Sequence, residues 1–219
     1  MRFNSFFDMI YLINLDSRPD RLFNASKECS KVGIEFKRVS AVDGKKAGLK
    51  VNPYQENDYM WWNEGAAGLA MTTISIIEDA IKKKYRRILI LEDDIEFRND
   101  SNEIFNRNIS NIPNDWQMIL FGAQHIGNIE RLSNEVYRVD FSYCCHCYAI
   151  NCNVFEYYLW CLKRMEKQID LITCEDIQPL RKTYAIYPDM AYQKKDMSNI
   201  QGVMVDHSVL MRLNKPVFK

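Results

Sequence analysis

Three consecutive carboxylates, Glu92, Asp93 and Asp94, follow the apolar run at residues 88–91 in the stretch RRILILEDDIEF. Like charges this close repel one another, and burial would raise their pKa values. A bound divalent cation removes the conflict, and an all-oxygen donor set favours Mn²⁺ or Mg²⁺ over zinc. A solvated turn or a helix cap would also place acids after a strand. The tripeptide alone therefore leaves both interpretations open.

The surrounding sequence predicts strands that alternate with helices. Strand-like runs occupy residues 7–15, 34–39, 87–92, 116–122, 135–141, 146–150 and 185–188. Helix-like patterns occupy residues 19–32, 65–85, 153–167 and 175–183. This alternation predicts one α/β domain over residues 1–219, built on a mostly parallel sheet. Ligands of such sheets bind beyond the carboxyl ends of the strands, which is where the three acids fall.

The overall composition argues against several classes of protein. Lys+Arg and Asp+Glu both total 29, and this balance argues against nucleic acid as a partner. No apolar run is long enough for a membrane span, and no signal peptide is recognised. Seven cysteines, an odd number, fit a reducing compartment. We therefore expect a soluble cytoplasmic protein, at most peripheral to a membrane. NTPase, zincin and α/β-hydrolase motifs are missing from the sequence.

Two other segments accompany the acids in a recognisable order. Residues 14–21 (NLDSRPDR), 41–44 (AVDG) and 91–94 (LEDD) together resemble the signatures of glycosyltransferase family 25. That family contains bacterial lipooligosaccharide galactosyltransferases and collagen galactosyltransferases. The likeness continues through residues 116–122, 147–150, 169–171, 187–193 and 198–200.

The resemblance implies a GT-A type fold with a Rossmann-like nucleotide-binding half. It also implies transfer of a hexose, galactose or glucose, from a UDP-sugar to a hydroxyl group with inversion. The acceptor would be a glycan or a hydroxylysine of a collagen-like protein. Mn²⁺ or Mg²⁺, held by Asp94 with Glu92 or Asp93, would stabilise the departing diphosphate. His207 is a further candidate ligand, although a lone histidine is more often structural or exposed.

Two arginines near the N-terminus are candidates for phosphate contact. Arg18 and Arg21 fall in the first turn of a predicted helix, where the helix dipole disfavours cations. A bound phosphate would account for them, because helix N-termini bind anions and arginine pairs well with phosphate. The alternative is that Asp16 and Asp20 balance them on a wet surface.

Three residues at strand ends and turns are candidates for nucleoside contact. Asn14 and Leu15 end the first predicted strand, where the nucleoside is expected to lie. Asp43 is placed to accept from a ribose or base group, although AVDG also suits a simple turn.

Inverting transfer requires one general base for the acceptor hydroxyl. Asp170 is the first candidate because it matches the aspartate of the family's P-V-D-L element. Asp176 is the second, because Glu175-Asp176 resembles an E-D element of GT-A enzymes. Helix capping is the alternative role for both, since acids favour first turns.

The chain departs from the family at Thr72-Thr73, where Ser-His is usual. That departure favours a rival interpretation, a degenerate fold that binds a glycan or a partner without catalysis. A nucleotidyltransferase is a third possibility, and it would release pyrophosphate. The cysteines at 144, 145 and 147 suggest a zinc site, but a second ligand pair is missing and buried thiols are favoured instead.

Overall fold

The computed structural model describes residues 3–51, 62–143, 145–200 and 202–206. The α-helices are α1 (Phe3–Phe6), α2 (Pro19–Lys31), α3 (Glu64–Lys82), α4 (Ser101–Asn108), α5 (Phe155–Lys163) and α6 (Ile169–Ile172). The first strands are β1 (Met9–Asn14), β2 (Lys37–Ser40), β3 (Arg87–Glu92), β4 (Ile95–Phe97), β5 (Met118–Leu120), β6 (Gln124–His125) and β7 (Ile129–Arg131). The remaining strands are β8 (Val136–Val139), β9 (Ser142–Tyr143), β10 (Cys147–Asn151), β11 (Thr183–Ile186), β12 (Ala191–Gln193), β13 (Asp196–Met197) and β14 (Met204–Val205).

The central sheet has eight strands in the order β2-β1-β3-β10-β5-β11-β8-β7. Six of them run in one direction, and β10 and β8 run in the other. The sequence-based prediction of a mostly parallel sheet is therefore confirmed. The two-stranded pairs β4–β12 and β13–β14 lie outside this sheet.

Helices cover both faces of the sheet, because alternate strand residues point to opposite sides. Along β3, Ile88 and Ile90 pack into the core under α3 and α5, whereas Leu89 and Leu91 pack into the core that includes α2 and α4. All four are fully buried. A strand buried on both faces reads as a continuous apolar run, which is the ILIL pattern at residues 88–91.

The predicted helix at residues 175–183 is wrong. Residues Thr173–Ile177 form a π-helical turn after α6, and Gln178–Leu180 form a 3₁₀ turn. Pro179 has no N–H to continue an α-helix, and Arg181 adopts a left-handed backbone with φ of 61°. The chain then enters β11 at Thr183.

Helix α4 was not predicted from the sequence. Its Asn-rich composition masks the periodicity, yet Ile104 and Phe105 are both fully buried. Across the described ranges, each helix is too short or too polar to span a lipid bilayer. The prediction of a single domain over residues 1–219 stays a prediction.

Candidate functional site

A cavity of about 450 Å³ lies at the carboxyl ends of β1 and β3. Its walls come from the β1–α2 turn, the segment after β2, the start of α3, the acids after β3 and the segment after β12. Eight of the residues selected from the sequence line this one cavity: Asn14, Leu15, Arg18, Arg21, Asp43, Glu92, Asp93 and Asp94. The structure thus brings together residues that are up to 80 positions apart in the sequence.

The parallel pairing of β1 and β3 explains why Asn14 meets the acids. Ile13 is in register with Glu92, so Asn14, the last residue of β1, and Asp93, the first residue after β3, lie at the same edge of the sheet. Asn14 is buried, and its Nδ2 donates to Asp93 Oδ2 at 2.7 Å and to the Arg18 carbonyl at 2.9 Å. Its Oδ1 accepts from Arg38 Nε at 3.0 Å. The amide therefore holds the acidic turn against the first turn of α2.

Arg21 is a buried cation at the centre of the acidic cluster. Its Nη1 lies 3.0 Å from Asp93 Oδ1 and 3.7 Å from Asp94 Oδ2. Its Nε donates to Asp196 Oδ2 at 2.9 Å, and its Nη2 donates to the Met197 carbonyl at 2.9 Å. The guanidinium offsets the negative charge of the acids and ties α2 to the chain after β12.

Arg18 lies nearer the solvent, at the same helix start. Its Nη2 pairs with Asp20 at 2.8 Å and with Asp196 at 3.2 Å, and its Nη1 donates to Asn199 Oδ1 at 3.2 Å. Pro19 begins α2, and the arginines just before it and in its first turn both line the cavity. Asp20 forms the ion pair with Arg18 that the surface interpretation expects. Arg18 also lines the cavity, as the phosphate-binding interpretation expects.

Glu92 has a strongly perturbed pKa. Burial, followed by the charges of Asp94, Asp170 and Asp93, raises the pKa of Glu92 well above its ordinary value, while Arg21 opposes the shift. Burial also raises the pKa of Asp93, against the lowering effect of its bonds from Asn14 and Arg21. Such raised pKa values mark a site prepared to receive positive charge.

The acids fit a hard divalent cation by donor type. Both oxygens of Asp93 already accept hydrogen bonds, from Arg21 and Asn14. Glu92 and Asp94 are the carboxylates better placed for a metal, and Mg²⁺-like ions commonly use one or two carboxylates together with phosphate oxygens. Among the described residues, no three His, Cys, Asp or Glu side chains converge to form a complete metal site. His207 lies outside the described residues.

The AVDG segment forms the cavity wall next to α3. A Cβ at Gly68 would lie 2.3 Å from the Val42 carbonyl oxygen, and a Cβ at Gly44 would lie 1.7 Å from the Glu64 carbonyl oxygen. Glycine at both positions therefore allows direct backbone packing. The Thr72 hydroxyl accepts the Val42 N–H at 2.9 Å, and it donates to the Gly68 carbonyl at 2.8 Å.

The two residues that depart from the family pattern are fully buried beneath this wall. Thr72 supplies a hydroxyl where the family has serine. Thr73 stands in the histidine position, and its hydroxyl donates to the Leu69 carbonyl at 3.0 Å. A threonine hydroxyl at this position bonds within its own helix.

The structure places the two candidate bases differently. Asp170 lies in α6, accepts the Cys145 N–H at 2.9 Å and contributes to the raised pKa of Glu92. Asp176 lies in the π-helical turn, 2.8 Å from Lys167 and 3.7 Å from Arg164. The charge of Asp170 therefore reaches Glu92, whereas Asp176 forms ion pairs with Lys167 and Arg164.

The end of β12 and the segment after it supply residues to which the sequence analysis gave no role. Gln193 Nε2 donates to Asp94 Oδ2 at 3.1 Å, and the Lys194 N–H donates to the Asp94 carbonyl at 2.7 Å. Asn63, which caps α3, donates to the Ile200 carbonyl at 2.8 Å. The family-like residues Gln193 and 198–200 were the signal that could have pointed here.

The family assignment follows from a comparison of the sequence with protein-family models. The model for glycosyltransferase family 25 (LPS biosynthesis protein) matches residues 7–169. The chain belongs to glycosyltransferase family 25. The matched range includes the cavity residues from Asn14 to Asp94 and ends one residue before Asp170.

Curated proteins with similar sequences carry the same family name. A glycosyltransferase 25 family member of Drosophila melanogaster is 29% identical over 135 residues, covering 54% of this chain and 21% of that protein. Human procollagen galactosyltransferase 2 is 27% identical over 136 residues, covering 55% and 21%. Mouse inactive glycosyltransferase 25 family member 3 is 24% identical over 146 residues, covering 59% and 24%. The matches thus span about a fifth to a quarter of each relative.

A solved structure shares the fold of this family 25 chain. A glycosyltransferase involved in the glycosylation of the major capsid of PBCV-1 superposes with a TM-score of 0.50 and 12% sequence identity. The alignment covers 82% of this chain and 81% of that one. This likeness supports the GT-A type architecture predicted above.

Proposed function

We propose that this family 25 protein transfers a hexose from a UDP-sugar to a hydroxyl group, with the help of Mn²⁺ or Mg²⁺. One observation carries the proposal: the donor-site residues selected from the sequence line a single cavity at the carboxyl ends of β1 and β3. That is the edge at which open α/β sheets bind their ligands. Family membership and the likeness to human procollagen galactosyltransferase 2 favour galactose as the sugar, with glucose as the alternative.

The proposed donor lies with its nucleoside against the ends of β1 and β2 and its diphosphate at the start of α2. Asn14, Leu15 and Asp43 line the nucleoside end. Arg18 and Arg21 attract the diphosphate, as does the helix N-terminus that carries them. Glu92 and Asp94 are the proposed metal ligands, and the cation supplies Lewis-acid stabilisation of the departing diphosphate. Gln193 orients the Asp94 carboxylate through its hydrogen bond.

Asp170 is the proposed general base for the acceptor hydroxyl. Its carboxylate is oriented by the Cys145 N–H and lies close enough to Glu92 to influence its pKa. A base beside the donor site takes the proton as the hydroxyl attacks, which is the requirement of single-displacement inversion. Asp176 is the second candidate for this role, although two cations already engage it.

A turnover assay tests the proposal. Purified protein is incubated with UDP-galactose, UDP-glucose and other UDP-sugars, with Mn²⁺ or with a chelator, and release of UDP is followed. Glycan acceptors and hydroxylysine peptides are supplied in parallel. We expect Mn²⁺-dependent release of UDP from one donor, lost in Asp94→Ala and strongly reduced in Asp170→Asn. UDP release that is equal with chelator, or equal in Asp94→Ala, contradicts the proposed chemistry.

A second candidate function is binding of a glycan or protein partner by a catalytically degenerate domain. The likeness to a mouse family member named inactive and the threonine in the family's histidine position favour it. The same assay separates the two functions. Binding of UDP-sugar without turnover of any donor, with every acceptor class supplied, favours the degenerate domain.

A further inference from the structure

Asp196 lies at the start of β13 and accepts hydrogen bonds from both arginines of the proposed donor site. Its Oδ2 is 2.9 Å from Arg21 Nε and 3.2 Å from Arg18 Nη2. Both guanidinium groups line the cavity, and Asp196 contacts them from outside that lining. One carboxylate oxygen thus joins the two cations.

We infer that Asp196 is a positioning residue of the donor site, which orients Arg18 and Arg21 toward the diphosphate of the nucleotide sugar. The inference rests on the proposed function and adds a residue that lies beyond the family match at residues 7–169. Arginine is long and flexible, and a charge-assisted hydrogen bond to a fixed carboxylate limits the directions in which its remaining N–H groups point.

The carboxylate is itself held in place by the hairpin that carries it. Asp196 pairs with Val205 in the β13–β14 ladder. The Ser198 N–H donates to the Val203 carbonyl at 2.9 Å, which closes the hairpin. The Met197 carbonyl accepts a further bond from Arg21 Nη2 at 2.9 Å. Asp196 therefore lies on a strand that is hydrogen-bonded to its neighbour.

Asp20 also pairs with Arg18, but it cannot take over this role. It lies two residues along the same helix and is 59% exposed, so the pair is local and screened by water. Asp196 is half as exposed, at 32%, and it reaches both arginines from a different part of the chain. Loss of Asp196 consequently removes one charge-assisted hydrogen bond from each arginine at once.

The test measures binding of UDP with Mn²⁺ by calorimetry, without turnover, for wild type and Asp196→Asn. Asp206→Asn is the matched control, because Asp206 lies just after the same hairpin, is 30% exposed and pairs with Lys195 at 3.7 Å. We expect Asp196→Asn to weaken UDP binding about tenfold, which corresponds to about 1.4 kcal/mol. Asp206→Asn should stay within about twofold of wild type. Equal affinity of the two variants overturns the inference.

A second comparison separates positioning of the arginines from a purely structural effect on the hairpin. Asp196→Asn is introduced both into wild type and into Arg18→Ala. The loss of UDP affinity that the substitution causes is then compared between the two backgrounds. If Asp196 acts through Arg18, the loss is smaller in the Arg18→Ala background. An equal loss in both backgrounds means that Asp196 does not act through Arg18, and it overturns the inference that this carboxylate positions both arginines.

The outcomes also separate this inference from the proposed function. A wild type that fails to bind UDP with Mn²⁺ overturns the proposed function and the inference with it. A wild type that binds, with affinity unchanged in Asp196→Asn, overturns the inference alone. If Asp196→Asn does not fold, Asp196→Glu keeps the charge but displaces the carboxylate by one methylene, and UDP affinity must still fall. Unchanged affinity in Asp196→Glu then refutes the positioning role.

Discussion

Replacing Glu92 by glutamine should stabilise the fold while it removes donor binding. Glu92 lies among three other carboxylates, and burial and those charges raise its pKa well above the ordinary value. The folded chain therefore holds the proton of Glu92 more tightly than the unfolded chain does. Stability from this group is fully present below the unfolded pKa and is lost as the pH rises through the folded pKa. Glutamine does not titrate, so Glu92→Gln avoids this loss.

The pH of the experiment sets an upper limit on the stability that Glu92→Gln can gain. Holding a carboxyl protonated at pH 7, when its unfolded pKa is about 4.3, costs folding at most about 4 kcal/mol. Glu92 lines the cavity, so water screens part of the repulsion and the gain must be smaller. We expect Glu92→Gln to be more stable than wild type by about 1–2 kcal/mol at pH 7, which raises Tm by about 3–6 °C in a chain of this size.

Urea denaturation at pH 7 and pH 4 measures this gain. The matched control is Glu96→Gln, which makes the same change on β4 outside the cavity lining. We expect the gain at pH 7, almost none at pH 4, and a change within about 0.5 kcal/mol for the control at both values. Destabilisation by Glu92→Gln at pH 7, or a gain that persists at pH 4, would refute the reasoning about the acidic cluster.

Three other predictions concern the same part of the molecule and its neighbour. Asn14→Leu removes the amide that donates to Asp93 and should cost about 1.5–3 kcal/mol in urea denaturation, whereas Asn111→Leu, at an exposed bond to the Arg107 carbonyl, should cost under about 0.5 kcal/mol. Equal costs would contradict a special role for Asn14. Burial lowers the pKa of His125 to about 4, so wild type should lose up to about 2 kcal/mol between pH 7 and pH 5 that His125→Gln keeps. The same pH dependence in both proteins would exclude His125 as its source. Affinity for Mn²⁺ with UDP should rise from pH 5 to pH 8, because Glu92 must lose its proton, and a flat profile would remove Glu92 from the metal site.

The parts of the fold that the sequence predicted well are those with local, periodic signals. The strand predicted at residues 87–92 is β3 with the same bounds, and Pro19 and Gly33 bracket helix α2. The direction of each strand in the sheet could not be predicted in this way. The sequence of β10 resembles that of the other strands, and yet β10 runs antiparallel to β3 and β5. Helix α4 was missed because packing of Ile104 and Phe105 outweighs the low helix propensity of its asparagines.

In the candidate site, too, only the residues that carry a local sequence signal could be predicted. Asn14, Arg18 and the three acids could be selected because each stands next to a strand end or helix start. The contacts of Gln193, Asp196 and Asn199 could not, since each bond joins residues more than 90 positions apart and the segment has no periodic pattern. The buried position of Arg21, with donors directed at four separate acceptor groups, is likewise a property of the assembled fold.

Calorimetric titration of UDP in the presence and absence of Mn²⁺, on wild type and Asp94→Ala, tests the central claim most directly. The claim is that the cavity at the ends of β1 and β3 holds a nucleoside diphosphate through a cation bound by the acids. The account predicts tight UDP binding by wild type with Mn²⁺, much weaker binding with a chelator, and no Mn²⁺-dependent gain in Asp94→Ala. UDP binding of equal strength in all these conditions would contradict it.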